Sequence, residues 1–329
     1  MKINMTHGSG GQATSELIRD IFSSRLGNSF LNRMEDAAIM SLDTGKRRLA
    51  YTTDSFVVTP LIFKGGDIGR LSVCGTVNDL LAMGASPLAL SAGFIIEEGL
   101  DTQVLERIVD SMAEALKESG TRIVAADTKV IEGRGGLYIN TSGVGYVHEG
   151  ISLSASQLKP EDGLIVSGTL GDHHACILSH RMEIDNEIES DAAPLNGMVE
   201  ALLLHGIRVR AMRDITRGGL ATVLNELCEA SSVSALIDHR ALPVKENVRG
   251  LCGILGLDPL YMGNEGKMLM AIHPDDIRKA LELIHTAPYG QSAALIGRVK
   301  EGRGVYQTTE TGSLRTINVL YGEGLPRIC

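Results

Sequence analysis

The chain has 329 residues, 43% hydrophobic and 22% charged, an ordinary globular composition with length for about two domains. Aromatics make up only 4%, Trp is absent and the net charge is −9, which argues against a base-stacking platform or a phosphate-backbone binder. Nucleotides stay open, because a bound divalent metal offsets local carboxylate charge.

Taken in chain order, residues 37–42 and 49–58 read as strands, rich in aliphatic and β-branched residues. Residues 68–83 read as a helix stopped by Gly84, and 88–96 as a strand. Val104, Leu105, Ile108, Val109, Met112, Ala115 and Leu116 recur at the helical period, with Asp101 or Thr102 as N-cap and Gly120 as C-cap. Strands at 122–126 and 137–147 complete the first half, and the polar stretch 152–162 reads as a linker. The pattern then partly repeats. Strands are expected at 164–168, 209–215, 267–272, 293–299 and 304–308, and helices near 174–181, 195–205 and 275–285. A further helix follows Gly218-Gly219, marked by Leu220, Val223, Leu224 and Leu227. The sum is two α+β domains with largely antiparallel sheets. Residues 322–329 hold two Gly, one Pro and no periodicity, and read as a flexible tail.

Residues 1–12 contain no apolar leader, and no run reaches the ~18 apolar residues of a membrane span, so a cytoplasmic protein is expected. The five cysteines, Cys74, Cys176, Cys228, Cys252 and Cys329, form no CxxC pair and suggest neither zinc nor a disulfide framework. The first four sit in apolar segments and read as buried and inert. His173-His174 reads as a helix start, since no further metal ligands accompany it.

Asp54, Asp127 and Asp214 end apolar runs, and Asp79 lies late in a helix, where the macrodipole opposes it. Each alone fits a turn or a cap. Four together suggest a cation site, and oxygen ligands with phosphates nearby suit Mg²⁺. Asp214-Ile215-Thr216-Arg217-Gly218-Gly219 is a strand, a glycine turn and a helix start, whose amides can hold an anion. Gly8-Ser9-Gly10-Gly11 could let backbone approach a ligand, and fits a frayed chain end equally well. No GxxxxGK[ST] motif is present, so an ordinary P-loop is disfavoured.

These motifs resemble those of the aminoimidazole ribonucleotide synthetase and selenophosphate synthetase superfamily, and within it the HypE family of hydrogenase maturation factors. The resemblance covers nearly the whole chain. It rests on the segments at His7–Gly11, Thr53–Phe56, Asn78–Ala85, Asp127–Val130, Asp214–Gly219 and Gly263–Gly266, and most specifically on the terminal Pro326-Arg327-Ile328-Cys329. It implies a two-domain PurM-like α+β fold. Residues 1–151 would form an ATP-binding and dimerisation domain with a mixed or antiparallel sheet, 152–315 a C-terminal α+β domain, and 316–329 a flexible tail carrying Cys329. It also implies an ATP-dependent carbamoyl dehydratase that turns an S-carbamoyl group on Cys329 into a thiocyanate, a cyanide source for the iron of [NiFe]-hydrogenase. Implied partners are a HypF-type carbamoyltransferase, a HypC–HypD complex and a second copy of the chain.

By the same resemblance Asp54, Asp79, Asp127 and Asp214 would hold Mg²⁺ and ATP, with Gly10, Gly11, Gly218, Gly219 and Asn264 around the nucleotide. Lys129 would meet the charge on the transferred phosphoryl group, or instead tune the base, for which Glu265 is the candidate. Two rivals stand beside this reading. Another superfamily enzyme, a selenophosphate synthetase or thiamine phosphate kinase, leaves Cys329 unexplained, and the selenium enzymes carry a Cys or selenocysteine where Met5–Gln12 has none. A carrier with a vestigial nucleotide site leaves the acidic set unexplained.

Overall fold

The computed structural model describes residues 12–17, 19, 33, 35, 37–41 and 48–320. Gly10, Gly11, Cys329 and the His7 segment lie outside the described residues. After helix α1 (Gln12–Leu17), the first lobe comprises β1 (Ala38–Ser41), β2 (Arg48–Phe56), the short β3 (Ile62–Phe63) and β4 (Gly66–Asp67), α2 (Ile68–Ala82), β5 (Ala85–Glu97), α3 (Thr102–Glu118), β6 (Ile123–Ile131) and β7 (Leu137–Val147). Its sheet runs β1-β2-β7-β5-β6. All pairs are antiparallel except β5–β6, which the crossover helix α3 makes parallel. The sheet is therefore mixed, as expected.

The second lobe comprises β8 (Gly163–Val166), α4 (Asp172–Arg181), α5 (Asn196–Leu204), β9 (Val209–Asp214), α6 (Gly219–Ser231), β10 (Ser234–Asp238), α7 (Glu246–Leu255), β11 (Met268–Ile272), α8 (Ile277–Thr286), β12 (Ala294–Lys300), β13 (Gly304–Thr308) and β14 (Leu314–Ile317). Its seven-stranded sheet runs β14-β13-β10-β12-β8-β11-β9.

Helix α2 organises the molecule. Asp67 caps it, its carboxylate accepting from the Gly69 and Arg70 amides at 2.8 and 3.0 Å. Nearly every side chain on α2 is buried, Ser72, Thr76 and Asn78 included, so the helix is enclosed all round rather than striped. Two glycines let it sit close to its neighbours. A Cβ on Gly69 would lie 2.3 Å from the Ile108 carbonyl of α3, and one on Gly75 would lie 2.7 Å from the Phe56 ring of β2. Helix α3 is two-faced, burying Ile108, Met112 and Ala115, and Asp101 is its N-cap. One apolar cluster runs from Phe56 and Leu71 through Ile165, Met198 and Met270, so the lobes share a core. Each such fully buried Leu, Ile or Phe contributes roughly 1.5–3 kcal/mol.

Three expectations change. The stretch 152–162 is no loose linker: Ala155 and Leu158 are buried in the second lobe's core, and Asp162 is buried beside Arg210. The boundary at 316 falls inside β14, and Ile317 is 2% exposed. Strand β6 runs to Ile131 rather than stopping at 126, so Asp127 and Lys129 lie within a strand.

Candidate active site at the lobe junction

Strand β2 alternates, with Ala50, Thr52 and Phe56 buried and Asp54 on the same, helix-facing side. The Asp54 carboxylate comes within 3.8 Å of where a Gly75 Cβ would stand, so the missing side chain on α2 leaves it room. One turn along α2, Asp79 accepts a hydrogen bond from the Thr52 hydroxyl at 2.8 Å. From the second lobe, β9 ends at Asp214, opposite Met268 of β11. Glu265 lies three residues before Met268 and is 3% exposed. Asp54, Asp214 and Glu265 thus meet where the two sheets end.

Their electrostatics agree with that geometry. Burial pushes the Asp214 carboxyl up to about 6; Arg213 and Arg217 pull it down, and Asp54 adds repulsion. Burial also raises Asp54, against the pull of Arg217. Burial raises Glu265 well above the carboxylate range, and Asp214, Asp54 and Asp191 raise it further while Arg217 opposes them. Glu265 Oε1 has no hydrogen-bond partner among the described residues. Enclosed carboxylates that repel one another form a natural seat for a divalent cation.

The anion side lies next to them. Gly218 and Gly219 both adopt positive φ, 79° and 63°, and α6 begins there without a side-chain cap. A Cβ on Gly219 would lie 2.5 Å from the Leu260 carbonyl oxygen, so only glycine fits. Helix N-terminal amides and the Arg217 guanidinium then flank the carboxylates. Asn264 is fully buried and braces this corner. Its amide nitrogen donates to the Ile215 and Met262 carbonyls, and its Oδ1 accepts from the Gly171 amide.

The four aspartates do not converge as one set. Asp127 pairs in register with Gly93, and Lys129 with Ile95, on the outer face of the sheet, away from α2. Across the order β2-β7-β5-β6, three strand spacings put Asp127 roughly 14 Å from Asp54. Its carboxylate is taken up by Lys129 at 2.7 Å, which holds it below the usual carboxylate range. Among the described residues no three acidic, His or Cys side chains already form a metal cage. Within one copy of the chain Asp127 therefore does not join Asp54 at the lobe junction.

The dismissed candidates behave as expected. Cys74, Cys176, Cys228 and Cys252 are buried free thiols, and burial pushes Cys74 and Cys228 up to about 12. Asp172-His173-His174 opens α4, and burial drives His174 down to about 3, leaving it neutral. Sequence reasoning missed Arg217, although it sat inside a quoted motif. It also missed Asp191 and Lys267, which lie 3.2 Å apart beneath Glu265 and line a polar cavity of about 550 Å³ with Arg70, Asp172 and Lys245. Nothing around Asp191 in the sequence signals its place.

Family models for AIR synthase related proteins match both lobes, the N-terminal domain over residues 34–147 and the C-terminal domain over 159–308. The carbamoyl dehydratase HypE of Azotobacter vinelandii is 45% identical over 333 residues, covering 99% of this chain and 97% of its own. The chain belongs to the HypE family. Among solved HypE structures, the HypE of a HypE–HypF complex superposes with a TM-score of 0.88 at 45% identity, over 92% of this chain and 99% of that one. A HypE determined in complex with ATP gives 0.83 at 42% identity over the whole of both chains. The HypE resemblance, the two-domain PurM-like fold and the α+β class are thereby established. No helix among the described residues is long and apolar enough to cross a membrane.

Proposed function

We propose that this chain is an ATP-dependent carbamoyl dehydratase that converts an S-carbamoyl group on its own Cys329 into a thiocyanate, supplying cyanide to the iron of [NiFe]-hydrogenase. The observation that carries the site assignment is the buried carboxyl of Glu265, whose Oε1 has no hydrogen-bond partner among the described residues, set among Asp54, Asp214 and Arg217 at the lobe junction.

The chemistry suits these groups. An amide oxygen leaves poorly until it carries a phosphoryl group. Its attack on the γ-phosphorus forms a C–O–P link and breaks the bond to the ADP oxygen. Loss of both N–H protons and of the C–O bond then gives C≡N, one proton ending on the released phosphate. The balance is thiocarbamate plus ATP to thiocyanate, ADP, phosphate and a proton. Glu265 takes one of the two N–H protons, and a carboxyl held above its usual range is a stronger base once ionised. Arg217 and the α6 amides face the anionic charge. Asp54 and Asp214 would hold Mg²⁺, with Asp79 one turn behind. Mg²⁺ would supply neutralisation of phosphate charge when bound. Gly218 and Gly219 keep the backbone open to the nucleotide, and Asn264 fixes their neighbour Ile215.

The tail leaves the body beside this corner. The Ile317 carbonyl accepts from Asn225 of α6 at 3.0 Å, about 9 Å along the helix from Gly219. The twelve residues after Ile317 can span at most about 40 Å, enough for Cys329 to return to the site and to present itself to partners. Those partners are a HypF-type carbamoyltransferase before the reaction and a HypC–HypD complex after it.

We assign a homodimer contact to the outer sheet face, where Tyr51 and Ile95 are each 45% exposed. Asp127 and Lys129 lie on that face, so any charge neutralisation by Lys129 is played at the interface. Intact mass after incubation with the carbamoylating partner and carbamoyl phosphate, before and after Mg²⁺–ATP, tests the reading. The adduct should map to Cys329 and lose one water. Glu265→Gln should keep the adduct and not lose water. No adduct on Cys329 sinks the proposal.

A further inference from the structure

Residues 189–195 form a strap between the lobes with no regular structure of their own. The first lobe holds one side of it. The Ser190 amide donates to the Lys64 carbonyl at 2.9 Å, and Arg70 Nε donates to the Ala192 carbonyl at 2.7 Å. Asn78, next to Asp79 on α2, donates to the Ala193 carbonyl and accepts from the Leu195 amide, both at 3.0 Å. The other side carries the Glu265 loop. Asp191 Oδ1 accepts from the Glu265 backbone amide at 2.9 Å, and Lys267 Nζ stands 3.2 Å from Asp191 Oδ2. Gly266 lets the two segments touch, since a Cβ there would lie 1.9 Å from the Asp191 carbonyl oxygen.

A buried ion pair is a poor way to gain stability, because desolvation consumes most of the attraction. Both side chains are nonetheless buried, at 4% and 8% exposure. Glu265 Oε1 has no hydrogen-bond partner among the described residues, so backbone placement carries much of the aiming of its carboxyl. We propose that Asp191 is a positioning residue for Glu265: its Oδ1 fixes the Glu265 amide, Lys267 holds Asp191, and the strap ties both to the helix that bears Asp79. The proposal rests on the reading of Glu265 as the base, and it gives a physical link between the two lobes' halves of the site.

The test compares Asp191→Asn and Asp191→Ala, both combined with Lys267→Met so that neither leaves a buried charge alone. Asparagine keeps an oxygen acceptor for the Glu265 amide and alanine removes it. The readout is the single-turnover loss of water from carbamoylated Cys329, against ATP concentration. The alanine protein should be slower at saturating ATP by about 10- to 100-fold, with half-saturating ATP changed less than about twofold. The asparagine protein should stay within about threefold of wild type. Equal rates in all three proteins, equal loss in both variants, or a matching rise in half-saturating ATP would each overturn the assignment. If the alanine protein does not fold, the asparagine protein decides alone, and a loss of rate there refutes the acceptor role. Wild type failing to lose water overturns the dehydratase reading itself, an outcome distinct from wild type working and the variants matching it.

Discussion

Replacing Asp214 with asparagine should stabilise the nucleotide-free protein while disabling its site. Asp214 titrates near 6 in the folded chain against an ordinary 3.8, chiefly because it is enclosed and secondarily because Asp54 faces it. Below pH 3.8 the carboxyl is protonated in both states and costs nothing. As pH rises toward 6 the unfolded chain ionises first, so the fold loses stability, and above 6 the full penalty persists. At about 1.4 kcal/mol per pH unit the penalty is at most about 3 kcal/mol at pH 8, and it falls below about 1 kcal/mol at pH 4. For a chain of this length about 3 kcal/mol corresponds to a rise of about 4 °C in Tm. The assay is thermal unfolding of wild type and Asp214→Asn in a chelator at pH 4 and pH 8, then with Mg²⁺–ATP at pH 8. The variant should melt higher at pH 8 in chelator, match wild type more closely at pH 4, and gain less from Mg²⁺–ATP. A variant less stable at pH 8 in chelator, or one whose gain is the same at both pH values, would refute the carboxylate-repulsion argument.

Three further outcomes follow from particular contacts. Gly219→Ala forces a Cβ to within 2.5 Å of the Leu260 oxygen at a φ of +63°, and should lose more than about 1 kcal/mol by urea unfolding and retain nucleotide less well in equilibrium dialysis. Asp67→Ala removes the cap of α2 and both of its amide bonds, and should cost about 1–2 kcal/mol in the same unfolding assay. Ile95→Glu places a charge on the outer sheet face proposed for the dimer contact, and light scattering should show a dimeric wild type and a folded, monomeric variant; a monomeric wild type or an unchanged mass in the variant would refute that contact.

Much of the fold was legible because several elements are long and patterned. Helix α3 showed its buried stripe, Ile108, Met112 and Ala115, in the spacing of its apolar residues. Helix α2 showed its end at Gly84, which adopts φ +68°. The elements that escaped were short. The β3–β4 hairpin has two residues per strand, too few for alternation to stand out, and the four residues of β14 bury only Ile317. Helix α7 carries Gly250 and Gly253 amid its few buried residues, Val248, Leu251 and Cys252, which blurs its period.

By itself the sequence determined the family and the two-lobed α+β plan, because several contiguous motifs and long patterned elements carry them, and the same motifs supplied the residues proposed for the site. It could not sort the four aspartates. Strand β6 is an edge strand exposed along nearly its whole length, so no apolar alternation reveals which face Asp127 and Lys129 share. Only the register with β5 puts them on the outer side. Nor could it find Asp191, which sits 74 residues from Glu265 and meets it only because the strap is clamped between α2 and the Glu265 loop. Which face a side chain takes, and which distant backbone it steadies, are decided by packing between the lobes rather than by local pattern.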